Sequence, residues 1–255
     1  MNLAAARILV TNDDGIHAPG LKVLERVAKT LSRDVWVVAP ESEQSATGHS
    51  LTLTAPLRVR RIADRRFAVN GTPTDCVLLA IKRIVKGRQP DLVLSGVNAG
   101  GNLGEDITYS GTVAAAMEAT LLGIPAIALS QMRRSGHPPH WATAAHHAAD
   151  VVQRLTEVDF ERNILLNVNF PDVAAQSVKG IRVTRQGRRK IGEMITDGVD
   201  PRGHAYMWIG AERDEDVSFP GSDLAAVHDG AISVTPLCLD LTYKPMMSTL
   251  KKLFA

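Results

Sequence analysis

Short unbroken apolar runs alternate with helix-spaced apolar residues along the first half of the chain. ILVTN at 8–12 and VWVVA at 35–39 read as buried strands. Between them Leu21, Leu24, Val27, Ala28 and Leu31 recur at the spacing of one helix face. This order predicts a β-α-β unit and therefore a parallel strand pair. A weaker strand pair is expected at 57–62 and 66–69. Thr72 and Pro73 supply an N-cap and a first-turn proline for a helix through about Val85. DLVLS at 91–95 is another core strand, followed by a glycine- and asparagine-rich loop, GVNAGGNLGEDITY, at 96–109. Ser110-Gly111-Thr112 opens an alanine-rich helix, and IPAIALS at 124–130 carries the next strand.

The second half is less periodic. A helix is expected from His140 to Leu155 and strands at 163–168 and 232–237. After residue 179 the pattern turns polar and glycine-rich, which suggests a projecting hairpin between about 180 and 215. The last ten residues read as a short amphipathic helix. With no repeat or low-complexity linker, residues 1–255 read as one α/β domain. In it, 1–131 form the core with its loops, and 132–255 form a C-terminal part.

Composition narrows the class. Hydrophobic residues make up 45% and aromatics only 4%, so packing rests on aliphatic side chains, as suits a sheet covered on both faces. A net charge of +2 predicts neither a nucleic-acid nor a membrane partner. The basic clusters at 58–66 and 185–190 read as solvated surface, or as contacts to a phosphorylated substrate. Two cysteines, Cys76 and Cys238, make neither a disulfide framework nor a thiolate metal site. Residues 1–10 lack a secretory-signal pattern and no apolar run has membrane-spanning length, so a cytoplasmic protein is expected.

Chemistry concentrates where strands end. In an open parallel sheet ligands bind at the carboxyl ends of the strands. Three loops leave such ends: Asn12-Asp13-Asp14-Gly15, the segment Ser42 to Ser50, and the segment Gly96 to Ser110. Asp13 and Asp14 repel one another. A turn and helix cap would account for them alone, but a hard divalent cation would offset the repulsion. Asn98 and either Ser42 or Ser45 complete an all-oxygen donor set, favouring Mg²⁺, Mn²⁺ or Ca²⁺ over zinc. Ser110-Gly111-Thr112 stands at a helix start, where free N–H groups suit a phosphate, although Ser110 would serve equally as a plain cap. His17 and His49 also lie in these loops. A dinucleotide fingerprint, a P-loop lysine, H-E-x-x-H and G-x-S-x-G are all missing. An aspartyl-phosphate mechanism would need its nucleophile at position 12, which is asparagine.

ILVTNDDGI, VVAPESEQSATGHSLT, VNGTPTDCV, LVLSGVNAGGNLGEDITYSGTVAAAMEA and SVTPLCLDLT, in that order from residue 8 to about 242, closely resemble the SurE family of survival protein E nucleotidases. The resemblance implies a three-layer αβα sandwich with a Rossmann-like, mostly parallel sheet. It also implies a C-terminal extension used in forming homodimers or homotetramers. It implies a divalent-metal-dependent phosphomonoesterase acting on nucleoside 5′- and 3′-monophosphates, with short polyphosphate cleaved by some members. One cation per subunit, Mg²⁺ or Mn²⁺ with Ca²⁺ as the alternative, would be held by Asp13, Asp14, Ser45 and Asn98. Asn12, Ser110, Gly111 and Thr112 would hold the phosphate, and Asp13 or Asp14 would orient the attacking water. The rival readings are a non-catalytic nucleotide or phosphate sensor and a phosphatase without nucleotide preference.

Overall fold

Alternation along the strands sorts the core into two faces. Ile8 and Val10 join one buried cluster with Leu21, Leu24, Ala144 and Val151, while Leu9 between them joins a second with Cys76, Val77, Val113 and Ala116. A strand whose successive side chains are buried on opposite faces must lie inside a layered sheet. The computed structural model describes residues 1–134, 136–191, 194–210 and 213–254.

In chain order the elements are β1 (Arg7–Thr11), α1 (Pro19–Leu31), β2 (Asp34–Pro40), β3 (Val59–Ala63), β4 (Arg66–Val69) and α2 (Pro73–Leu79). The last is continued by one π-helical stretch, Ala80–Ile84. Then come β5 (Leu92–Ala99), α3 (Gly111–Leu121), β6 (Ala126–Gln131), α4 (Trp141–Leu155), β7 (Ile164–Phe170) and β8 (Ile181–Val183). The remainder is β9 (Arg189–Ile191), β10 (Ile195–Val199), β11 (Ala205–Ile209), β12 (Arg213–Glu215), α5 (Asp223–His228), β13 (Ile232–Cys238) and α6 (Lys244–Leu253).

Nine strands form one sheet in the order β3-β4-β2-β1-β5-β6-β7-β13-β8. The run from β4 to β7 is parallel throughout, whereas β3 and β13 pair antiparallel to β4 and β7. Helices α1 and α4 cover one face and α2 and α3 the other. The chain leaves β1 for β2 on one side, and β5 later returns on the other. The carboxyl ends of β1 and β5 thus flank a topological switch point, where such sheets open a crevice. The fold is the α/β sandwich that the pattern implied.

Two stretches differ from the sequence reading. Residues 96–99 belong to β5, because Asn98 and Ala99 resume pairing with Ser130 and Gln131 after an irregularity in register. Residues Gly104–Thr108 form a 3₁₀ turn. Glycine and asparagine favour loops locally, but a neighbouring strand edge overrides that preference. The polar region after 179 contains two small antiparallel pairs, β9 with β12 and β10 with β11, which build an arm outside the main sheet. Among the described residues no helix is long and apolar enough to cross a membrane.

Close contact between α1 and β5 sets how the first turn of α1 lies against the crevice. A Cβ on Gly20 would stand 1.9 Å from the Val97 carbonyl oxygen and 2.9 Å from the Trp141 ring. Helix propensity alone would favour alanine at this position by about 1 kcal/mol. The clash with backbone outweighs it, so Gly20→Ala should lower unfolding free energy by about 2 kcal/mol in urea titration. Equal or greater stability of the variant would show that α1 shifts freely on the sheet.

Candidate active site

Asp13 and Asp14 follow β1 one residue on, after Asn12, and the loops after β2 and β5 reach them. Gly15, at φ +98°, turns the chain away; a Cβ there would press within 3.2 Å of the Ser42 carbonyl carbon. The loop after β2 is tied down by Ile16 N–H to Pro40 O (2.8 Å), Gln44 N–H to Asp13 O (2.8 Å) and Gly48 N–H to Tyr109 O (3.1 Å). From β5, the Ala99 N–H donates to Asp14 Oδ2 at 3.3 Å.

The two carboxylates occupy different settings. Asp13 is only 5% exposed, and its Oδ1 accepts a bond from the Thr112 hydroxyl. The backbone N–H of Thr112 donates to it as well. Asp13 therefore sits at the N-terminus of α3, where unsatisfied N–H groups and the positive end of the dipole favour an anion. Even so, burial raises its pKa above the ordinary carboxylate value. A Cβ on Gly111 would fall 2.8 Å from Asp13 Cβ, so only glycine lets the helix start approach this closely. Asp14 is half-buried. Burial first, and the Asp13 charge second, push its pKa up from 3.8 to about 6, while the nearby Arg133 guanidinium opposes the shift.

Asn12 is fully buried; its amide donates to Gly15 O at 3.0 Å, and its Oδ1 is a buried acceptor without a hydrogen-bond donor. Asn98 is half-buried at the end of β5 and donates to Gly100 O at 2.8 Å. Ser110 is buried and caps α3, its hydroxyl oxygen accepting from Val113 N–H at 3.0 Å. Ser45 is exposed, and its hydroxyl donates to Glu43 Oε1 at 2.8 Å rather than to either aspartate. His49 reaches α3, pairing with Glu118 at 3.0 Å.

Two neighbours were not singled out from sequence. The Glu43 charge raises the pKa of both aspartates, and Arg133, just beyond β6, acts oppositely on Asp14. Both are charged loop residues without a periodic signal, and only their position after a strand end hinted at the crevice.

Among the described residues no group of three or more His, Cys, Asp or Glu side chains stands ready to hold a metal ion. The residues that would serve as donors are two desolvated carboxylates with neutral amide and hydroxyl oxygens, of which the Ser45 hydroxyl is turned to Glu43. Such a set fits a hard divalent cation that keeps part of its water shell. Without a cation, the two carboxylates would repel an incoming phosphate.

Residues 8–193 match the family model described as Survival protein SurE. The chain is 64% identical over 251 residues to a 5′-nucleotidase SurE of Paramagnetospirillum magneticum, covering 98% of this chain and 96% of that one. It is 55% identical to the 5′-nucleotidase SurE of Rhodospirillum rubrum, covering 99% and 98%. The crystal structure of the SurE protein from Aquifex aeolicus superposes with a TM-score of 0.84 at 43% identity, covering 98% of this chain and all of that one. With this sheet order, this pair of aspartates and these likenesses over nearly its whole length, the chain belongs to the SurE family.

Proposed function

We propose that this protein is a divalent-cation-dependent phosphomonoesterase that hydrolyses nucleoside 5′-monophosphates to nucleoside and phosphate. The observation that carries the reading is the desolvated Asp13–Asp14 pair beside a helix N-terminus, in a chain so similar to relatives named 5′-nucleotidase. Nucleoside 3′-monophosphates and short polyphosphate present the same terminal phosphate and extend the substrate class. The cation, Mg²⁺ or Mn²⁺, would be held by Asp13 and Asp14 with Asn98, and with Ser45 once its hydroxyl leaves Glu43. When bound, such an ion lowers the pKa of a water and offsets charge on phosphoryl oxygens.

The chain's own groups divide the remaining work. Asp13 is immobilised by Thr112 and is the better anchor. Asp14 is the more exposed of the two and receives one backbone N–H, so it is the better group to orient an attacking water and take its proton. The free N–H of Gly111 at the start of α3 would meet the phosphate, with the Ser110 cap keeping the helix start in place and Asn12, bonded to Gly15 O, holding the turn beneath it.

The arm supplies the assembly. Ile195, Met207, Trp208 and Ile209 are exposed on β10 and β11, Trp208 by 68%, and α6 buries none of its residues. A lone two-stranded ribbon with this apolar surface is marginal in water. A second copy of the chain, giving a dimer or tetramer, is the occupant we assign to it.

Asp14→Asn should cut phosphate release from adenosine 5′-monophosphate in Mn²⁺ by about a hundredfold or more, and a chelator should do the same to the parent chain. Near-parental turnover by the folded variant, or turnover unaffected by chelator, would sink the reading.

Stability should move the opposite way. The folded-state pKa of Asp14 lies above its ordinary 3.8, so the stabilising proton is fully bound below 3.8 and lost as pH rises through about 6. Metal-free Asp14→Asn should therefore be more stable than the metal-free parent at pH 7.5, by at most about 3 kcal/mol and with a correspondingly higher melting temperature, and the gap should close toward pH 4. An unchanged melting difference across that range would contradict the desolvation argument.

For assembly, Met207→Ser with Trp208→Ser should shift the chain toward monomer in sedimentation or size-exclusion analysis. An unaltered oligomer, or a parent that is already monomeric, would refute the arm's role.

A further inference from the structure

The loop between β5 and α3 leads directly into the helix start that carries Gly111 and Thr112, and it is gripped from two sides by buried polar contacts. On the sheet side, Asn102 N–H donates to Asn169 Oδ1 (2.8 Å), Asn102 Nδ2 donates to Ser130 Oγ (2.8 Å), and Asn167 and Asn169 both donate to Asn102 O. On the other side stands the base of the arm. Arg189, 6% exposed at the start of β9, pairs through Nε with Asp106 Oδ2 at 3.2 Å and with Glu215 Oε1 at 3.1 Å. Its backbone N–H donates to Glu105. Asp223, at the start of α5, accepts from Gly104 N–H at 2.9 Å and from Gly187 N–H at 2.8 Å, so one carboxylate joins loop and arm. Contact is closest at Gly104, φ +53°, where a Cβ would lie 2.8 Å from Arg189 N.

A buried ion pair is a poor means of gaining stability, since well-packed apolar side chains often do as well or better. What charged contacts add is a fixed register, because a buried guanidinium held between the Asp106 and Glu215 carboxylates, with its backbone N–H on Glu105, cannot slide as a leucine slides along a leucine. The register fixed here is that of Glu105 and Asp106, only a few residues before Ser110. We infer that the arm base is a positioning device for the phosphate-binding helix start, with Arg189 as its positioning residue. It acts through Asp106 and the 3₁₀ turn and touches no substrate. This inference rests on the proposed function, which places phosphate at that helix start.

The test uses the full chain and three variants: Arg189→Gln combined with Asp106→Asn, which neutralises both members of the buried pair together; Arg189→Lys; and Glu215→Gln, at a partly exposed site. Parental phosphate release from adenosine 5′-monophosphate is measured first, and its absence would refute the proposed function rather than the clamp. In the double variant KM and the inhibition constant of inorganic phosphate should rise together by about tenfold, with kcat within about threefold and Mn²⁺ affinity unchanged. Glu215→Gln should show a smaller rise in the same two constants, and Arg189→Lys should lie between the parent and the double variant. Should the double variant fail to fold, the Glu215→Gln and Arg189→Lys values decide alone. Folded variants with both constants at parental values would overturn the inference, whether or not their oligomeric state changed. A joint fall in kcat and Mn²⁺ affinity would overturn it too, since that pattern marks general damage.

Discussion

A carboxylate buried beside a second carboxylate is the constraint on which this structure turns. Asp13 is removed from water almost completely, and burial of an anion is costly unless other groups solvate it. Here the solvating groups come from Thr112, through hydroxyl and N–H, at the start of α3. That requirement places α3 end-on to β1, forbids a side chain at Gly111, and obliges the chain to turn away at Gly15. What remains uncompensated is the charge of Asp14, with Glu43 adding to it and Arg133 subtracting. An imbalance of this sign is costly to an empty protein and useful to one that must attract a cation.

Topology explains why the imbalance can be maintained. β1 is central, with β2 and β5 as neighbours, so its carboxyl end lies where loops on either side diverge. Each flanking loop is anchored to the aspartate segment through a main-chain N–H, Gln44 to the Asp13 carbonyl on one side and Ala99 to the Asp14 carboxylate on the other. The aspartates are thus held largely by main-chain donors and the Thr112 hydroxyl, whereas the exposed Ser45 hydroxyl bonds only Glu43.

Much of this was legible in the residue pattern, and the rest was hidden for physical reasons. Unbroken apolar runs at 8–10, 35–39 and 91–95 identify doubly covered strands because burial on both faces leaves no polar alternation. The Thr72 cap and Pro73 mark α2 through local chemistry alone, and Thr72 and Asp75 do form a capping box. Strand order leaves no local trace, which is why the antiparallel insertion of β13 between β7 and β8 could not be anticipated. The extension of β5 through Ala99 is equally invisible, since Asn98 is held in a strand by Ser130 and not by its own preference. Within the site, residue types singled out the aspartates and the three loops. The use of Thr112 on Asp13, and the influence of Glu43 and Arg133, depend on distances that composition does not encode.

The contrast between the two flanks of the β5–α3 loop carries one more step. Leu103 is buried with Leu224 and Val227, so an apolar contact does hold the loop to α5. That contact fixes distance but not register, because aliphatic surfaces tolerate small displacements. Register is supplied by Asn102 against β7 and by Arg189 and Asp223 against Asp106 and Gly104. The polar contacts lie on either side of the apolar one, so displacement of the loop along the sheet would break charge-assisted bonds at one flank or amide bonds at the other. Under the proposed function this helix start would meet a small, highly charged phosphate and would tolerate little such displacement, since a shift of even one ångström removes most of a hydrogen bond. The expensive buried polar groups therefore stand where positional precision matters, and the cheap apolar ones fill the space between them.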